Sequence, residues 1–467
     1  MHLQWWSVLP FATMLACIAV LPLVPATTLW WERRTSQFAV ALVLGLPVAV
    51  WMWIAGGWRV VFASIVEYGQ FIALLLALFI VSGGIFLKGD IEATPRSNTV
   101  FLAIGAVLAS FVGTTGAAML LIRPLLNTNA ERRYRVHTVL FAIFIVANCG
   151  GLLTPLGDPP LFLGFLRGVP FIWTLRLLPE WLFVNAMLLA AYFALDTYYH
   201  AQEPAVSVRL DRAEMEPLGL RGATNFVWFL VIILAVAFAP SIDVEAIEAG
   251  SATVMNWVPL REIIMLAAAG ASYALGDKRA RFRDNQFEWG PIVEVATLFI
   301  GIFLTMIPAL HYLDEVAGSL PLNQVTFFIF TGGLSSVLDN APTYATFFEM
   351  AGQVAHPGEG TVAGVPEVYL VSISLGAVLC GAITYIGNGP NFMVKSVAEG
   401  RHVQMPSFGG YIVRTFTYLV PVLAAMVCLF IAGPGWAKTV GALVTVALLS
   451  NDARLIRAGR RLALVDD

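Results

Sequence analysis

Eleven stretches of about 20 predominantly apolar residues follow one another along this chain, and nothing else in the sequence restricts its fold as strongly. They lie within residues 5–25, 37–57, 65–87, 136–156, 180–199, 224–240, 261–276, 290–310, 366–386, 411–432 and 436–451. A helix of that length spans a hydrocarbon core about 30 Å thick and satisfies its own backbone where water cannot. Composition agrees: of 467 residues, 58% are hydrophobic and only 12% charged, with a mean hydropathy of +0.79, whereas soluble domains carry about 25% charged residues. The chain reads as an all-α polytopic membrane protein, which excludes soluble enzymes, nucleic-acid binders and disordered scaffolds. Cys17, Cys149, Cys380 and Cys428 all fall in apolar stretches without the spacing of a disulfide or zinc site, and read as buried thiols. No Lys or Arg precedes the first apolar run and no small-residue cleavage pattern follows it, so the first span is expected to be retained.

Two further apolar stretches, 98–127 and 323–352, are broken near their middles, by Gly113-Thr114-Thr115-Gly116 and by Asp339-Asn340-Ala341-Pro342. Each half is too short to cross and suits one arm of a re-entrant hairpin. With both stretches re-entrant and the N-terminus outside, 22 of the 27 Lys and Arg fall on one side, all but Arg59, Arg167, Arg176, Arg261 and Lys438. By the positive-inside rule that side is cytoplasmic, and the C-terminal tail from Arg454 to Arg461 lies there too. Treating one hairpin as a crossing would invert everything after it and spoil the asymmetry.

The chain also resembles itself. Ile65-Val66-Glu67 recurs as Ile292-Val293-Glu294, the hairpin segments align with Ser110 on Ser336, and TPLGDPPLFL (154–163) aligns with TYIGNGPNFM (384–393). The last pair shares Thr154/Thr384, Gly157/Gly387, Pro160/Pro390 and Phe162/Phe392, with Asp158 over Asn388. Five crossings separate Glu67 from Glu294, and an odd number inverts the second copy. The expected organisation is a first repeat over 1–222 with a cytoplasm-opening hairpin and a broken helix at 136–166. An inverted repeat over 223–432 follows, with an outside-opening hairpin and a broken helix at 366–398, then an added helix and basic tail over 433–467. Inverted repeats with discontinuous helices are the architecture of secondary transporters, with sites near the midplane where the repeats meet.

The interruptions supply the chemistry. Gly and Pro unwind the backbone at 150–160, freeing carbonyls for a cation, while the half-helices beginning near Pro159 and Pro390 present amides and a positive dipole end. Asp158 and Asp339 are the principal carboxylates expected near the two tips. Thr114, Thr115, Asn148, Thr154, Gly157, Ser335, Ser336, Asn340, Thr343, Thr384, Gly387, Asn388 and Asn391 supply neutral donors or unwound backbone around them. A carboxylate at mid-membrane costs roughly 2.5–3.5 kcal/mol, so it is best kept neutralised by a proton or a hard cation such as sodium. Simpler roles compete: Asp158 in a loop ahead of Pro159, Asp339 as a helix N-cap. Glu67 and Glu294 are proton-relay candidates that could equally face headgroups. Arg123 and Lys395 are the countercharges nearest the site, with snorkelling to the interface as their alternative. His137, His311 and His402 read as solvated loop histidines, and the Trp-rich span ends as interfacial anchors. No catalytic motif or cofactor signature occurs, so the chain reads as no enzyme and as needing no cofactor.

At GGLLTPLGDPPLF (150–162), SSVLDNAPTYATFF (335–348) and TYIGNGPNFMVKSVAEG (384–400) the sequence resembles the ion transporter superfamily of arsenite, citrate, dicarboxylate and type-D sodium/proton carriers. The likeness covers most of the chain, and the Ser-Ser-x-x-Asp-Asn-x-Pro string resembles the arsenite and sodium/proton branch most. It implies a scaffold, a moving transport region with two hairpins, and often a homodimer. The superfamily's first hairpin often carries Asp-Asn ahead of its threonines, where this chain has Val112-Gly113. The Ser-Asn-Thr of dicarboxylate carriers occurs here only as Ser97-Asn98-Thr99, which reads as a coincidence. Two functions follow: a sodium/proton antiporter at Asp158 and Asp339, or a carrier of citrate, another carboxylate or an oxyanion coupled to protons or sodium. A multi-pass plasma-membrane (bacterial inner-membrane) protein is expected, with lipid and small ions as its partners and no nucleic acid.

Overall fold

The computed structural model describes residues 3–22, 24–31, 33–213, 215–248, 251–317, 322–354 and 360–463. The principal helices are α1 (Leu9–Val20), α2 (Arg34–Gly56), α3 (Trp58–Ser82), α4 (Pro95–Val112), α5 (Thr114–Thr128), α6 (Val136–Ile145), α7 (Pro159–Leu166), α8 (Leu178–His200) and α9 (Asn225–Phe238). They continue with α10 (Leu260–Leu275), α11 (Gly290–Ala317), α12 (Gln324–Ser335), α13 (Asn340–Gln353), α14 (Glu367–Cys380), α15 (Gly389–Gly400), α16 (Phe408–Tyr418), α17 (Val420–Met426) and α18 (Gly435–Ala463). Among the described residues seven helical segments are long and apolar enough to cross a membrane, and shorter apolar helices accompany them. This is an all-α polytopic membrane protein.

By length and composition α4 is one of those seven segments, yet its chain path is not that of a crossing. Asn98 near its start and Asn129 just past α5 exchange amide hydrogen bonds, Nδ2 to Oδ1, at 2.9 and 3.0 Å. Residues 31 apart touch because the chain turns at Gly113 (φ +83) and comes back. Arms α12 and α13 fold back likewise, and Phe327 and Phe347, about equally far from the turn, bring their rings to 6.5 Å. Both turns lie slightly earlier than the sequence suggests. Only Gly113 is non-helical in the first, since Thr114, Thr115 and Gly116 open α5, and Asn340, Ala341 and Pro342 open α13 after the Asp339 N-cap. Pro342 is tolerated there because first-turn amides have no intrahelical acceptor.

Two groups of helices result. In one, α2, α3, α10 and α11 pack together with α1 and α9, and Phe71 stacks on Phe299 at 5.0 Å in its core. In the other, both hairpins surround α6, α7, α14 and α15, and α8 carries α18 against its outer side. The groups meet where α3 touches α5 and α7, and where α11 touches α13. Each long helix thus faces the second arm of one hairpin. A ribbon pairs β1 (Phe86–Asp90) antiparallel with β2 (Glu216–Arg221), with Phe86 opposite Arg221, Leu87 opposite Leu220 and an irregularity between Lys88 and Asp90. Strand β1 links α3 to α4 and β2 leads into α9, so the chain leaves and re-enters the first group through one ribbon.

Two sequence expectations change. Cys149 and Cys380 are buried, but Cys17 and Cys428 are only partly so, because they face outward from α1 and from the segment after α17. His137 is not solvated: it is 6% exposed and bonds Asp196 at 2.8 Å, because the start of α6 packs on α8. Ser97-Asn98-Thr99 lies at the foot of the first hairpin and not at its tip, and there Asn98 ties the two feet together through Asn129.

Candidate functional site

The two broken helices share a set of hydrogen bonds. Regular helix stops after α6 and α14, and single-turn 3-10 pieces follow at Cys149–Leu152 and Gly381–Ile383. The hydroxyl of Thr154 then donates to the carbonyl of Ser110, and that of Thr384 to the carbonyl of Ser336. Each threonine oxygen also accepts an amide two residues on, from Leu156 and from Ile386, both at 3.2 Å. These bonds fasten each unwound segment to its own hairpin near the tip. The glycines that follow have no substitute: a Cβ on Gly157 would overlap the carbonyl oxygen of Gly151, and one on Gly387 would lie 2.6 Å from that of Gly381. Asp158 (φ −145, ψ 143) and Asn388 (φ −152, ψ 137) then share one extended conformation ahead of α7 and α15. Neither side chain is spent on capping its own helix, so both project into the space between the repeats.

That space is organised around Asp158, which is 1% exposed. Its Oδ1 accepts from Thr114 Oγ1 (2.8 Å) at the first hairpin tip and from Asn388 Nδ2 (3.3 Å) in the second broken helix. Its Oδ2 accepts from Asn340 Nδ2 (2.5 Å) at the second hairpin tip. One carboxylate therefore collects a neutral donor from each of the other three interrupted elements. Asn388 Nδ2 also lies 3.1 Å from Asn148 Oδ1, and Asn148 Nδ2 donates to Asn391 Oδ1 at 2.6 Å. Asn391 in turn donates to the freed carbonyls of Gly381 (2.8 Å) and Thr384 (2.9 Å). Asn148 and Asn391 are wholly buried, and Asn340 Oδ1 is buried without a partner. No group of three His, Cys, Asp or Glu side chains suited to a metal occurs among the described residues. The donor set is one carboxylate with neutral oxygens and amides, the chemistry of a proton or a hard monovalent cation rather than of zinc.

The remaining candidates lie around or away from this centre. Asp339 caps α13 by accepting from the amide of Ala341 (3.2 Å), one residue from Asn340. Thr343 and Ser336 bond carbonyls of their own turns, Asp339 at 3.1 Å and Gly333 at 2.7 Å, and Ser335 bonds the carbonyl of Ala377 at 2.7 Å. Thr115 is half-buried, beside Thr114 in sequence. Gly157 accepts the amide of Thr114 at 2.8 Å, while Gly387 donates to Thr384 Oγ1 at 3.1 Å. Arg123 donates to the carbonyl of Asn285, and Lys395 pairs with Glu399 at 2.7 Å over the rings of Tyr385 and Phe392. Neither cation bonds Asp158. Glu67 pairs with Arg167 at 3.1 Å, and Glu294 pairs with Arg34 at 3.7 Å and accepts from Gln37 at 3.2 Å, so both glutamates are engaged at the edges of the helix groups.

The family described as "Putative citrate transport" matches residues 1–431, nearly the whole chain. The chain belongs to that family. No curated protein matches it in sequence. In this citrate-transport family member a second polar centre, unanticipated from sequence, holds the feet of the first hairpin. Asp196 on α8 is fully buried and accepts from Arg132 (2.7 Å), His137 (2.8 Å) and Asn98 (3.2 Å). Glu203 supports Arg132 at 3.5 Å and takes the amides of Arg133 and Tyr134. The available signal was an aspartate within an apolar span, since such a group must find partners.

Proposed function

We propose that this protein is a secondary active transporter that exchanges sodium for protons at Asp158 by alternating access. The observation that carries the reading is a buried carboxylate held by neutral donors from both hairpins and the opposite broken helix, with no basic side chain among its hydrogen-bond partners. In this arrangement three donors satisfy the charge. A proton on Asp158 needs one of them to turn, and the Thr114 hydroxyl is free to do so by rotation. Sodium needs oxygens instead: the same rotation offers Thr114 Oγ1, and half a turn of Asn340 about its amide axis presents Oδ1, which now has no partner. Proton and sodium compete for one carboxylate, and that competition is exchange.

Inverted copies on the two sides of Asp158 support access from each face in turn. The Lys and Arg distribution supports an N-terminus outside and a C-terminus in the cytoplasm, and the sequence self-similarity supports repeats over 1–222 and 223–432. A second reading, uptake of citrate, is favoured by the family match. The formal charges nearest the centre, Asp158 and Asp339, are negative, so a tricarboxylate would have to arrive with protons or cations, facing the amide-rich starts of α7 and α15. Everted vesicles separate the two readings. Sodium-induced collapse of a proton gradient, lost in Asp158→Asn, supports exchange. Gradient-driven uptake of labelled citrate, with no sodium-induced proton movement in its absence, supports the second.

A further inference from the structure

Arg167 ends the half-helix that Asp158 begins, and its guanidinium is shared between two carboxylates. Nη2 lies 3.1 Å from Oε1 of Glu67 on α3, and Nε lies 3.3 Å from Oε1 of Glu349 on α13. The Arg167 side chain is 12% exposed and that of Glu67 20%. Glu67 belongs to the first helix group, whereas Arg167 and Glu349 belong to the second, so one limb of the triad crosses between groups and the other stays within one. The inverted copy closes the opposite face without such a pair. There Arg401 ends α15 as Arg167 ends α7, in Arg401-His402-Val403 against Arg167-Gly168-Val169, with left-handed backbone at both His402 (φ 60) and Gly168 (φ 91). Among the described residues Arg401 reaches only the neutral side chain of Asn127 (2.8 Å), and Arg123, which aligns with Glu349, reaches only the carbonyl of Asn285.

We propose that Glu67, Arg167 and Glu349 form a latch that closes one mouth of the transporter, and that this mouth opens when Arg167 leaves Glu67 while keeping Glu349. The inference rests on the transport reading above. A guanidinium paired with two carboxylates has both partners ionised, whereas Arg401 and Arg123 have neutral acceptors, so this face closes more firmly than the other. A largely buried guanidinium stripped of all partners would resist opening, because the unpaired charge is costly. Glu349 removes that obstacle by travelling with Arg167. The two glutamates therefore act in opposite directions. Glu67 holds the mouth shut, and Glu349 competes for the same cation and eases its release.

The test uses the full chain in membrane vesicles, with Cys17, Cys149, Cys380 and Cys428 replaced by alanine and Thr346→Cys introduced. Thr346 is buried on α13 one turn from Glu349. Its alkylation by a membrane-impermeant maleimide is timed from each side. Glu67→Gln should raise the rate from the Arg167 side by about tenfold, and Glu349→Gln should leave it unchanged or lower it. Should Glu67→Gln not reach the membrane, Glu67→Asp, which draws the charge back by one methylene, should give a smaller rise. Equal effects of the two glutamine variants, or no rise in any Glu67 variant, would overturn the latch. Asp158→Asn in the same vesicles separates the claims. Loss of exchange there with a flat Glu67→Gln result removes the latch alone, whereas intact exchange with a clear Glu67→Gln rise removes the role of Asp158 and leaves the moving mouth.

Discussion

The first and second broken helices share a backbone and differ in charge. Asp158 and Asn388 hold nearly the same dihedral angles, follow the same threonine-to-hairpin bond and precede the same kind of half-helix. Only the first carries a carboxylate at this position, just ahead of the half-helix. The shared frame brings two interruptions face to face. The chemistry then needs one ionisable group, because a second carboxylate at Asn388, 3.3 Å away, would have to share the same neutralising cation. The copies also differ in how they are anchored. The first hairpin's feet are tied by Asp196, Arg132, His137 and the Asn98–Asn129 pair, all buried, whereas the second begins at the exposed cap of Asn323.

Breaking the first anchor should have the largest effect. Asp196→Asn leaves Arg132 without its closest carboxylate in a buried place, and thermal unfolding in detergent should show a loss of about 3–5 kcal/mol. No position in the second copy should be as costly to neutralise. The glycine pair comes next. Gly157→Ala drives a methyl into the Gly151 carbonyl, while Gly387→Ala meets Gly381 at 2.6 Å and has slightly more room. Both should destabilise by about 1–3 kcal/mol, Gly157→Ala by more, and the reverse order would show that the first copy is the more pliant. The smallest contrast is at the aligned serines. Ser110 donates to the carbonyl of Gly150 (2.5 Å) and accepts from the amide of Leu153 (3.1 Å), so Ser110→Ala should cost about 1–3 kcal/mol. The Ser336 hydroxyl, among the described residues, bonds only the Gly333 carbonyl of its own turn, and Ser336→Ala should cost less than about 0.5 kcal/mol in the same melt.

Much of this frame could be read from local sequence. Gly113 and the Asp339–Pro342 run mark the hairpin turns because they break helices, and Thr154/Thr384 with Gly157/Gly387 mark the copies because their bonds are made within each repeat. Asp158 stands out as a carboxylate in an apolar run, and Asn148, Asn340, Asn388 and Asn391 as polar neighbours of interruptions. What escaped depends on contacts far apart in the chain. His137 looks like a loop residue until α8 brings Asp196 beside it, 59 positions away. Arg123 and Lys395 look near the site in sequence, but a helix turns most of its side chains away from any one neighbour, and both point to other partners. Arg167 was just one of the few basic residues on the minority side, and only folding sets it between Glu67 and Glu349.

The claim that proton and sodium compete for Asp158 is tested most directly by proton release from the purified protein in weakly buffered detergent solution. Adding sodium should release protons towards a limit of about one per chain, with none released from Asp158→Asn. Equal release from wild type and Asp158→Asn, or no release from a wild-type protein that binds sodium, would contradict it.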